Sequence, residues 1–157
     1  MRMYEQFKTN PALEQTGIEL DYGDFRITIA RAGGANKKYL KTLEAQTKPY
    51  RRAIQNEVMD NDRAMKIFRL VYAQTIVLNW KTRIGAEDDP ESYFAEGIEP
   101  PESNPDVPLT EDQLLPVTVE NIVQAFENLP DMFLDVKEQA EKSVLFRQKL
   151  QEDEAKN

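Results

Sequence analysis

The sequence contains no cysteine and no histidine. The first absence excludes disulfides, thiolate nucleophiles and cysteine-based zinc sites. The second removes the commonest general base and the commonest metal ligand. Serine is scarce, limited to Ser92, Ser103 and Ser143. None of the three lies in a Gly-x-Ser-x-Gly or Ser-x-x-Lys pattern, the local arrangements that activate a serine nucleophile. No apolar run approaches the roughly 18 residues that span a bilayer. The start, Met1 to Lys8, lacks the apolar stretch of a secretory signal. These absences point to a non-enzymatic chain with no cofactor, no metal and no membrane span. A reducing cytoplasm is the compartment that fits them.

What is present is charge, unevenly spread. The net charge is −8. From Arg26 to Arg52 there are eight basic residues against one acid, Glu44. From Gly85 to Gln113 there are ten acids and no base, with five prolines among them. Such asymmetry reads either as two solvated surfaces or as a basic docking face for an acidic partner. The residues nominated for that face are Arg31, Lys37, Lys38, Lys41, Arg51 and Arg52. The basic stretch could also touch phosphates, with Tyr39 and Tyr50 interleaved for stacking. A sequence isoelectric point near 4.7 weighs against nucleic acid.

Periodicity predicts a mainly α protein, a helical domain with an N-terminal β-hairpin and a long acidic Pro-rich loop. Residues 1–16 read as a flexible N-terminal arm and 17–150 as one α-rich domain. Ile18, Leu20 and Tyr22 alternate with acids, and Phe25, Ile27 and Ile29 alternate with polar residues. With Gly23-Asp24 between them, these runs predict a hairpin over 17–30. Helices are predicted at about 37–56, 62–82, 119–128 and 132–150. Asn36, Asp60 or Asn61, Thr118 and Asp131 are the candidate N-caps, and Pro49 is expected to kink or divide the first helix near Lys48. The stretch 85–113 is too acidic and Pro-rich to pack well, and reads as an exposed loop. Tyr93, Phe94 and Ile98 are its local anchors, or form a short hairpin after Trp80. Residues 151–157 read as a frayed tail.

Other motifs carry little chemistry. Gly33-Gly34 lacks the Gly-Lys-Ser/Thr ending of a phosphate loop and the three spaced glycines of a dinucleotide fingerprint. Asp60-Asn61-Asp62 lacks the central glycine and closing glutamate of a calcium loop. Helix capping and loop solvation account for both acidic runs.

One resemblance covers roughly residues 17–150. The run from Gly17 to Tyr39 (GIELDYGDFRITIARAGGANKKY) resembles the start of tail assembly chaperones of long-tailed bacteriophages. So do Thr47 to Ile54 (TKPYRRAI), Val71-Tyr72-Ala73 on a helix running to Leu78-Asn79-Trp80, Leu114 to Thr118, and Asn128 to Asp131. The resemblance implies a mainly helical protein with no enzymatic activity. It implies one that coats the tape-measure protein and recruits tail-tube subunits in the bacterial host cytoplasm. Such chaperones are generally absent from the finished virion. Their docking faces are amphipathic helices, and the stripe Phe133, Val136, Ala140 and Val144 is either such a face or part of the chain's own core. The alternatives are a structural virion protein of the tail or neck, and a nucleic-acid-binding regulatory protein. A homo-oligomer is left open.

Overall fold

In a computed structural model, which describes residues 1–147, the chain is a mixed α and β protein. This corrects the expectation of a mainly α fold with one hairpin. Four strands form an antiparallel sheet in the order β1-β2-β3-β4. They are β1 (Ile18–Asp21), β2 (Phe25–Ile29), β3 (Val77–Ile84) and β4 (Tyr93–Glu96). The helices are α1 (Met3–Phe7), α2 (Pro11–Thr16), α3 (Lys37–Thr47), α4 (Arg51–Gln55), α5 (Asn61–Thr75), α6 (Val119–Asn128) and α7 (Pro130–Glu141). The expected end of the last helix at 148–150 and the expected tail at 151–157 lie outside the described residues.

The hairpin forms where the alternation places it. Ile18 pairs with Ile29 and Asp21 with Arg26. Gly23 sits at φ +91°, and its amide donates to Asp21 Oδ1 at 2.9 Å. Ile27 and Ile29 are fully buried.

The largest departure is the helix expected over 62–82. It ends at Thr75, and the chain continues as strand β3. Thr75, Ile76 and Val77 are three β-branched residues in succession, which favour strand over helix. The misreading has a physical cause. β2 pairs Thr28 with Asn79 and Ile29 with Val77, so Leu78 is the extra residue of a β-bulge. The bulge sets the buried positions of β3 at Val77, Trp80, Thr82 and Ile84. Val77, Trp80 and Ile84 thus fall at i, i+3 and i+7, the spacing of a helical stripe.

Pro49 divides the basic helix as its position predicts: α3 ends at Thr47, residues Lys48–Tyr50 form one 3-10 turn, and α4 follows. Two smaller expectations change. Asn36 does not cap α3. It is buried, and its amide donates to the carbonyls of Arg31 (2.9 Å) and Thr75 (3.4 Å). The helix expected over 132–150 begins at Pro130, with proline at its first position and no side-chain cap, and ends at Glu141, after which Ser143–Phe146 form a 3-10 turn. Asp60 and Thr118 do cap α5 and α6.

Helices α3, α5, α6 and α7 pack with β2 and β3 in one core. Its centre is aromatic. Tyr72 meets Phe133 edge-on at 5.6 Å, Phe126 meets Phe133 at 4.8 Å, and Trp80 of β3 reaches Phe126 at 6.3 Å. Phe133, Val136 and Ala140 are wholly buried in this core, so these three pack at home, whereas Val144 lies past the end of α7 and is exposed.

The arm expected to be flexible is knitted in over its second half. Asn10 caps α2, accepting from the amides of Ala12 and Leu13, and Pro11 follows as first helical residue. Glu14 is buried, pairs with Arg31 Nη1 at 2.6 Å and accepts from Thr9 Oγ1 at 2.9 Å. Gly34, at φ +55°, lies so near that a Cβ there would collide with the Glu14 carboxylate.

Candidate interaction surfaces

The six nominated basic residues do not form one face. Arg31 is committed to Glu14, and its side chain is only 22% exposed. Lys37, Lys38 and Lys41 are exposed on α3, and Arg51 and Arg52 are exposed on α4. Among the described residues none of these five has an ion-pair partner. Arg51 lines a shallow groove of about 190 Å³ with Glu44, Lys48 and Ile54. The six nominated residues are thus one structural cation, Arg31, and five solvated ones.

The acidic stretch is built quite differently. Instead of an open loop, residues 85–113 are tied back to the sheet. β4 pairs with β3, setting Lys81 against Glu96 and Arg83 against Phe94. Arg83 organises the return. Its Nε donates to Asp24 and one Nη to Ser92, both at 3.0 Å, and its guanidinium lies 4.7 Å from the Phe94 ring centre. Arg26 stacks over the same ring at 3.8 Å. The chain then turns at Gly97, whose amide donates to the Trp80 carbonyl, while its own carbonyl accepts from Thr82 Oγ1. Ile98 is buried and exchanges backbone hydrogen bonds with Leu115 at 2.8 Å each way. Gly85 donates to Leu109, and Thr110 with Gln113 forms a capping box. The Tyr93 phenol donates to Glu111 at 2.7 Å, and that hydrogen bond pushes its pKa up.

This return leaves a cleft of about 600 Å³ between the sheet, residues 104–109 and the α6–α7 junction. One wall is aromatic. Tyr22 stacks on Phe25 at 4.8 Å, and Phe25 on Trp80 at 6.1 Å. Met132 and Leu129 line it from the helices, and Val107 and Leu109 from the loop. Leu129 is 55% exposed and Val107 56%. Asp24, Glu87, Glu99 and Asp106 also line it, with Arg83 the one basic lining residue and already paired to Asp24. The Tyr22 phenol donates to Asp135 on α7 at 2.6 Å, which fixes the hairpin turn against the helices. Burial first, then that hydrogen bond and the Asp135 charge, push the Tyr22 phenol well above its ordinary value.

None of the nominated basic residues lines the cleft. Charge counting missed it because its floor is apolar; of its acids, Glu87, Glu99 and Asp106 belong to the acidic stretch and Asp24 to the hairpin turn, but the apolar wall they border comes from other elements. The legible signals were Leu129, standing between a helix end and Pro130, and the aromatic pair flanking the hairpin turn. Among the described residues no group of acids is arranged to hold a metal ion, and no helix is long and apolar enough to cross a membrane.

Comparison with known families gives the origin of the chain. A family model described as YdaY prophage protein matches residues 34–157, most of the chain. The chain belongs to the YdaY prophage protein family and is phage-derived. The match carries no assignment to tail assembly. No curated protein and no solved structure matches the chain.

Proposed function

We propose that this prophage protein acts by binding another phage protein, as a non-enzymatic tail assembly chaperone in the host cytoplasm. In this reading it holds the tape-measure protein and recruits tail-tube subunits. The observation that carries it is the cleft. Its lining leaves Leu129 and Val107 more than half exposed beside the half-buried Tyr22, Phe25 and Met132, and an apolar hollow of this kind marks a binding site. Its size and lining suit a short amphipathic segment, with apolar anchors on one face and basic residues meeting the acidic rim. Sequence texture from Gly17 to Asp131 supports the identity of the partner, and the lack of histidine and cysteine supports the absence of chemistry.

Co-expression with the tape-measure protein of the same prophage tests this. The expected result is a soluble, co-purifying complex that is lost with Leu129→Glu, an exposed position whose change leaves the fold intact. No rescue of solubility and no co-purification would refute the chaperone role. Stoichiometric presence in purified particles would replace it with a structural subunit of the tail or neck.

A further inference from the structure

The first eight residues are all exposed. They include the densest cluster of exposed large apolar side chains: Met1 is 81% exposed, Met3 65%, Tyr4 75% and Phe7 57%. Helix α1 has five residues and buries none of them. A helix this short does not hold itself together in water, because nucleation costs more than one turn returns. Its root, by contrast, is firmly held. Asn10 donates to the Phe146 carbonyl at 2.8 Å, and Thr9 bridges to Arg147. Phe7 meets the Arg147 guanidinium 4.9 Å from its ring centre, yet it and the other apolar side chains of the turn stay more than half exposed, the form of an element that packs on something else.

We infer that this arm docks in the cleft of a second copy of the chain. The chemistry of the two surfaces matches. The arm offers Met1, Met3, Tyr4 and Phe7 alongside the cations Arg2 and Lys8, with Glu5 the single acid. The cleft offers the Tyr22–Phe25–Trp80 wall, with Leu129 and Met132 opposite. Its rim holds four acids, and its one cation is already paired. Methionine fills irregular apolar gaps and packs well on aromatic faces. The arm enters at the Ile18 end of β1, whereas the cleft opens beyond the Asp21 end at Tyr22. No residue before Tyr22 lines the cleft, so the arm stands outside it in this chain, and the proposed contact runs between copies. It does not depend on the tail-assembly reading, since it concerns the chain alone.

Two exposed substitutions test it: Phe7→Asp on the arm and Leu129→Glu in the cleft. Sedimentation velocity over a concentration series should show the wild-type chain self-associating. Each variant alone should associate about tenfold or more weakly, the loss expected when one large apolar anchor is replaced by a charge. Circular dichroism should be unchanged in both. A mixture of the two variants should recover association, because Leu129→Glu keeps an intact arm and Phe7→Asp an intact cleft. Trp80, the sole tryptophan, lines the cleft and should report docking by a shift in emission. The inference is overturned by a wild-type chain that stays monomeric, by unchanged association in Phe7→Asp, or by a mixture that fails to recover. A Trp80 shift between wild type and Phe7→Asp that is independent of concentration would place the arm in its own cleft, and also overturns it.

Discussion

The basic and the acidic stretches look like mirror images in the sequence, and the folded chain treats them in opposite ways. The basic residues stand apart on α3 and α4, with solvent as their main neighbour. The acidic residues ride on a segment that pairs with the sheet through β4 and Gly97 and closes further hydrogen bonds at Gly85 to Leu109 and at Ile98 to Leu115. The difference lies in the backbone. An exposed helix satisfies its own amides and leaves its side chains free. A loop that returns to a sheet must find partners for its amides, and in doing so it builds a wall. Net charge therefore says little about whether a segment is solvated or structural.

Substitutions can break that comparison from either side. The largest effect is expected within the basic stretch, from its one structural member. Arg31→Ala strands the Glu14 carboxylate, which is 3% exposed, without its charge partner. The expected cost is about 3 kcal/mol, read from urea unfolding. Next comes the acidic segment. Gly97 sits at φ +146°, and a Cβ there would stand 2.6 Å from Leu114 Cβ. Gly97→Ala should cost about 2 kcal/mol and expose Trp80 to quenchers. If the segment were merely solvated, neither change would appear.

A smaller effect is expected at the turn that joins the two halves. Tyr22→Phe removes the bond to Asp135 and should cost about 1 kcal/mol. The same phenol gives a pH signature. Burial raises the pKa of Tyr22, Tyr39 and Tyr72 above the ordinary value of 10.0. Between the unfolded and the folded pKa the unfolded chain releases protons that the folded chain keeps. Stability is thus complete below about pH 10 and declines as pH rises past it. Unfolding followed from pH 8 upward should show that decline, with a shallower slope in Tyr22→Phe. The smallest stability effect belongs to Arg51→Glu with Arg52→Glu, within about 0.5 kcal/mol. If those cations steer a partner, the pair should instead slow association, most visibly at low salt.

Much of this architecture was legible in the residues. The alternation around Gly23 gave the hairpin and its inward side chains, and α6 occupies 119–128 as its apolar spacing predicts. Tyr93, Phe94 and Ile98 were visible as anchors of the acidic segment. Strand β3 was not legible, because the bulge at Leu78 gives its buried positions a helical spacing. Nor was the buried Glu14–Arg31 pair. An acid in a polar arm and an arginine in a basic run look like surface charges until the fold brings them together. The cleft was hidden for a related reason. Its lining comes from the hairpin, β3, the acidic segment and two helices, and no local pattern joins stretches so far apart.

The meander order of the sheet has a kinetic consequence. β1–β2 and β3–β4 join segments close along the chain, but β2 and β3 are neighbours across residues 30–76. Pairing them closes a long loop, and the entropy of that closure is lost before its contacts form. Completion of the sheet therefore waits on compaction of α3 to α5. The Ala30 amide, bonded to the Ile76 carbonyl at 2.8 Å, sits where that loop shuts. Its hydrogen should exchange with solvent only when the whole molecule opens. The amides of α1, by contrast, should exchange at nearly the rate of an unfolded chain until a second copy covers them.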